Sequence, residues 1–180
     1  MQVLCAIIVI EKGVIYMAII KIPTTPRFQR PIINLYGLDC LIDTGAIIPM
    51  FSMPKVIIEN MFKAVKTLEK HTVGGIGGES LGDVYRINEF KVGEIIYSPF
   101  EVFVPYMQTI KYPVLLGAPL FYGMFYGFDT VENNFVIDTK DAPLKRQFRI
   151  VELRGQLYCQ IDDILVQDSR LLLSDMLCGI

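Results

Sequence analysis

The run Leu41-Ile42-Asp43-Thr44-Gly45-Ala46 sets a carboxylate directly at the end of an apolar stretch. A strand there carries Asp43 to the rim of a buried region, where a carboxyl group can serve as a general acid or base. Gly45 permits a tight turn behind it and leaves the backbone open to neighbours. The same residues taken alone also describe a plain strand-end turn. A second cluster, Val73-Gly74-Gly75-Ile76-Gly77-Gly78, surrounds one apolar residue with glycines between two strand-like runs, the pattern of a mobile hairpin tip. A phosphate cradle is the competing reading and fails on spacing. There is no G-x-x-x-x-G-K, and Ser80 stands where a G-x-G-x-x-G begun at Gly75 and Gly77 needs its last glycine. The third segment, Val114-Leu115-Leu116-Gly117-Ala118-Pro119-Leu120, runs from an apolar strand through a glycine into a short helix. By itself it describes core.

Other chemistries find little support. His71 is the sole histidine, and Cys5, Cys40, Cys159 and Cys178 lie far apart with no C-x-x-C, so neither a zinc site nor any other metal or cofactor is expected. Widely spaced thiols fit a reducing compartment and a cytoplasmic location. Lys+Arg 17 against Asp+Glu 19 leaves a net charge of −2, without the basic footprint of a nucleic-acid-binding protein.

In this order and spacing the three segments together resemble the retropepsin family of aspartic proteases. The likeness is to the single-domain, homodimeric type found in retroviruses, retroelements and bacteria. Ile42-Asp43-Thr44-Gly45-Ala46 looks like the catalytic motif, with Asp43 the catalytic residue and Thr44, Gly45 and Ala46 its loop. Gly74, Gly75, Ile76, Gly77 and Gly78 look like the flap tip that closes on substrate. Leu115-Leu116-Gly117 looks like the element that braces the active-site loop. Phe128-Asp129 through Asn133-Asn134 to Ile137 resembles the closing hairpin. The resemblance covers Phe28 to Asp138. It departs at a helix longer than the retroviral one and at Ala118-Pro119, where the family often carries a polar or charged residue. It implies a mainly β, closed acid-protease barrel with a flap hairpin and one or two short helices, and aspartic endopeptidase activity without a cofactor. The alternative is a catalytically silent dimeric module for binding or assembly, its cleft blocked by the chain after Asp141. A structural barrel with an accidental motif is a third reading and predicts a monomer.

One Asp-Thr-Gly implies two chains. Hydrolysing a peptide with neither metal nor covalent nucleophile requires water to be activated while the carbonyl oxygen is protonated, and two facing carboxylates sharing a proton do both. Asp129-Thr130 and Asp138-Thr139 are followed by Val131 and Lys140 instead of glycine, so neither is a second copy. Asp43 is therefore expected to meet its symmetry mate across the twofold axis of a homodimer. The resemblance implies that Thr44 hydrogen-bonds across that interface. A peptide or protein substrate would lie extended between flap and dyad, its backbone paired with strand edges. Apolar pockets would favour hydrophobic residues beside the cut. A dimer interface also accounts for 52% hydrophobic residues and a mean hydropathy of +0.43. No membrane partner is expected. The apolar run from Met1 to Ile10 meets Glu11 and Lys12 before the ~20 residues that a spanning helix needs.

The elements that must position these residues read as short strands separated by Pro and Gly, the mark of an all-β design. Strands are expected over 14–22, 31–36 and 40–42. A helix is expected over Pro54 to Lys70, where Ile57, Ile58, Met61, Phe62, Val65 and Leu68 recur at helical spacing behind a Ser52 cap. Further strands follow over 85–92, 95–96, 100–104 and 114–117, with turns at Gly93 and Pro99, then a hairpin of 125–129 and 135–138. The chain divides into N-terminal strands (1–26), the retropepsin-like domain (27–140) and an extension (141–180) with a basic stretch and an amphipathic helical tail from Asp162. Residues 1 to 16 match nothing in the family. In a bacterial gene the codons of Lys12-Gly13-Val14 can read as a ribosome-binding sequence, placing the natural start at Met17. The other reading makes Val3 to Ile10 a true strand.

Overall fold

The computed structural model describes residues 19–25, 31–75, 78–108, 111–140 and 142–166. The N-terminal readings before Ile19, the tip residues Ile76 and Gly77 and the tail beyond Val166 lie outside them. In chain order the elements are β1 (Ile19–Thr25), β2 (Ile32–Leu35), β3 (Leu38–Asp43), β4 (Met50–Phe51), the helix α1 (Lys55–Phe62), β5 (Val65–Gly75), β6 (Gly78–Ile87), β7 (Phe90–Val92), β8 (Ile95–Pro105) and β9 (Val114–Gly117). A 3-10 turn (Ala118–Phe121) follows, then β10 (Phe125–Asp129), β11 (Asn134–Asp138), β12 (Lys145–Leu153), β13 (Gln156–Ile161) and β14 (Ile164–Val166). The protein is thus mainly β, as expected. Among the described residues no helix is long and apolar enough to cross a membrane.

The strands form one sheet running β10-β11-β1-β2-β3-β9-β4-β8-β12-β13-β14, with β6 and β7 also on β8 and β5 folded onto β6. It curls into an open half-barrel, which corrects the closed barrel expected from sequence. The long β8 lies at the centre of the strand order, with β4, β6, β7 and β12 as neighbours. It takes β12 as a parallel neighbour through Lys145↔Ile96 and Phe148↔Phe100. From there the order runs through β13 to β14, the end of the described sheet opposite β10.

The helix ends at Phe62, eight residues short of the expected Lys70; Lys63 caps it in the left-handed conformation. Its N-cap is Pro54, with no side-chain capping bond, so Ser52 is not the cap. Val65 and Leu68 keep helical spacing, but the segment pairs with β6 from Val65↔Arg86 to Gly75↔Gly78. That ladder outweighs the local helical pattern. Pro99 is not a turn either, since β8 runs through it. The helical tail expected from Asp162 is strand over Ile164–Val166. The basic stretch before it is β12, whose side chains alternate outward and inward, with Arg146, Phe148 and Ile150 buried. Residues 145–166 therefore continue the main sheet.

Two aromatic clusters contribute to the core. Phe90 stacks on Phe100 at 4.6 Å between centroids, with Phe51 and Phe148 against them. Phe121, Tyr126 and Phe128 gather around Phe135. Ring pairs at these separations attract by dispersion and edge contacts.

Candidate active site

Asp43 is the last residue of β3. The strand lies between β2 and β9, and its parallel register with β9 runs from Cys40↔Val114 to Asp43↔Gly117. All four residues of β9 are buried, as a parallel strand covered on both faces requires. The end of β3 is thus set against a fully buried neighbour. Asp43 is half-buried there, while Thr44 and Gly45 are exposed.

The loop after Asp43 is tied at almost every residue. Gly45 N–H donates to Asp43 Oδ1 at 2.9 Å, and Ala46 N–H donates to the Asp43 carbonyl at 3.1 Å. One carboxylate oxygen is oriented by its own loop. Ala118 N–H donates to the Ala46 carbonyl at 3.1 Å. A Cβ built on Gly117 would lie 2.3 Å from that oxygen, so only glycine lets the two segments interlock. Farther along, the Pro49 carbonyl accepts Phe103 N–H at 3.0 Å. Asp43, Thr44, Gly45, Ala46, Leu116 and Gly117 are therefore brought into one place.

The glycine cluster sits elsewhere, at the far end of the β5–β6 hairpin, whose described ladder closes at Gly75↔Gly78. Nothing lies within 4 Å of a Cβ built on Gly74 or Gly78. The stem is held at Asp83, whose Oδ1 accepts Tyr106 O–H at 2.6 Å and Lys70 N–H at 3.0 Å. The hydrogen bond to Asp83 raises the Tyr106 pKa above its ordinary value.

Three buried side chains were not foreseen, and one of them reaches the site loop. Cys159 on β13 donates from Sγ to the Ile47 carbonyl at 2.9 Å. Burial pushes its thiol pKa up, so it stays protonated and unreactive. Arg146 on β12, buried, donates to the Tyr122 carbonyl at the end of the 3-10 turn and pairs with Asp162 at 3.0 Å. Glu101 on β8, also buried, accepts Ile150 N–H at 2.8 Å and pairs with Arg86. The signal for Arg146 was present in the alternation of Lys145-Arg146-Gln147-Phe148-Arg149-Ile150; nothing local marks Cys159. Among the described residues no group of three or more His, Cys, Asp or Glu could hold a metal ion.

Comparisons with protein-family models, with curated proteins and with solved structures found no match.

Proposed function

We propose that this chain is a retropepsin-like aspartic endopeptidase that works as a homodimer. The observation that carries the reading is the interlocked Asp43 loop. A carboxylate stands at the end of a strand paired to a fully buried neighbour, with one oxygen oriented by Gly45 N–H. Thr44 and Gly45 remain exposed beside it, free to meet a second copy. Across a twofold axis two Asp43 side chains would share one proton. The ionised carboxylate takes a proton from water as its oxygen attacks the scissile carbonyl carbon, and the protonated carboxyl donates to the carbonyl oxygen. Collapse of the tetrahedral intermediate breaks the C–N bond and releases a carboxylic acid and an amine.

The β5–β6 hairpin serves as the flap in this reading. Among the described residues the backbone at its end pairs only with itself, which suits opening for entry and closing to exclude water. The buried thiols of Cys40 and Cys159 are compatible with a cytoplasmic location.

A peptide-library cleavage assay on the full chain tests the proposal. Cleavage should be favoured at acidic pH and inhibited by statine peptides, and Asp43→Asn should lower it by about a thousandfold. Sedimentation should show a dimer. Cleavage that survives Asp43→Asn would sink the mechanism. A dimer with no cleavage would leave the silent binding module in its place.

A further inference from the structure

We infer that the C-terminal strands β12–β14 are a working part of the candidate site, with Cys159 as the positioning residue that holds the Asp43 loop. The inference rests on the protease reading for its catalytic consequence and on geometry for the brace itself. The site is made where two segments interlock, the loop after Asp43 and the turn after Gly117. The C-terminal strands send a buried side chain to each. Cys159 Sγ–H reaches the Ile47 carbonyl across 112 residues of sequence. Arg146 reaches the Tyr122 carbonyl, its guanidinium oriented by two further bonds to Asp162 Oδ2 at 3.0 Å.

The unit that carries these groups is itself fixed to the sheet. Ile150 N–H, past the parallel register of β12 with β8, is taken up by the buried Glu101 carboxylate at 2.8 Å. Asp162 also accepts Gln147 N–H at 2.9 Å, tying the start of the β13–β14 turn to β12. Cys159 and Phe148 are wholly buried in the common core, so neither can shift without disturbing it. Burial in turn keeps the Cys159 thiol protonated and able to donate. The result is a clamp behind the loop, opposite in effect to a tail that blocks a cleft. A carboxylate pair that must meet across a dimer axis needs such support, because a misplacement of about 1 Å costs on the order of a hundredfold in rate.

The test compares Cys159→Ala, which removes the donor, with Cys159→Ser, which keeps one, in the full chain. Cys159→Val, which fills the space without a donor, guards against a cavity effect and replaces the alanine variant should that one not fold. Hydrogen exchange reads the brace directly. The Ala46 and Ala118 amides should exchange about fivefold faster in the alanine and valine variants and near the wild-type rate in the serine variant. The Lys91 amide, bonded to the Tyr36 hydroxyl and to neither interlocked segment, should not change. In peptide cleavage the donor-less variants should lose about tenfold in kcat with KM within about twofold, and serine should restore most of it. Loop exchange equal in all variants, or serine behaving as alanine does, overturns the inference. A wild-type chain that cleaves nothing removes the protease reading, and hydrogen exchange then decides the brace alone.

Discussion

The Asp43 loop and the β5–β6 hairpin are both built on glycines, and they use them in opposite ways. At Gly117 the missing side chain is filled by another part of the chain, the Ala46 carbonyl standing 2.3 Å from where a Cβ would be. At Gly74 and Gly78 the missing side chain leaves open space. Loop carbonyls 43, 46, 47 and 49 each accept a bond from a backbone amide or a buried thiol. Beyond Leu81, whose carbonyl accepts Tyr106 N–H at 2.9 Å, the described hairpin strands pair only with each other. One region is fixed by close approach, while the end of the other keeps its own backbone ladder with Val73 packed against the core. Under the proposed function the first would hold a carboxylate still and the second would admit a polymer.

Three glycine substitutions grade that difference. Gly117→Ala should have the largest effect, because its Cβ meets backbone on a segment that cannot yield; about 3 kcal/mol of stability should be lost, read by urea unfolding. Any peptidase activity should fall with it. A Gly117→Ala chain as stable as wild type would show that the interlock is looser than its geometry. Gly78→Ala should cost less, about 1–2 kcal/mol, because the strain is conformational only: its φ of +105° is one that L side chains rarely adopt. Chemical unfolding of that variant checks it, and a loss equal to that of Gly117→Ala would erase the contrast. Gly74→Ala, with open space and no positive φ, should stay within about 0.5 kcal/mol of wild type in the same assay. A larger loss there would mean that the hairpin end packs against something in solution.

The parts of the fold that were legible are those whose cause is local. Asp43 followed by Gly45 at the end of an apolar run reads as a strand delivering a carboxylate, and β3 does so. The hairpin of β10 and β11 was legible because its turn is made by its own residues. Asp129 Oδ1 accepts Val131 and Glu132 N–H at 3.0 and 2.9 Å, and Asn133 takes the left-handed conformation. The helix was misread at its far end because Val65 and Leu68 satisfy a helical spacing while their actual partners, Arg86 and Val84, lie on β6.

By itself, then, the sequence determined the β class, the place of the carboxylate, the glycine-rich hairpin and the strand-glycine-turn at 114–121, all of which depend on neighbours a few residues away. Only the tertiary structure decided that the sheet stays open and that residues 145–166 belong to it. It alone brought Cys159 to the Ile47 carbonyl and Arg146 to the Tyr122 carbonyl. The physical reason is partner choice. The strand β8 can accept several neighbours through the same backbone groups. Which one it takes is settled by side chains such as Phe148 and Ile150 finding a buried place, over sequence distances that no local pattern encodes.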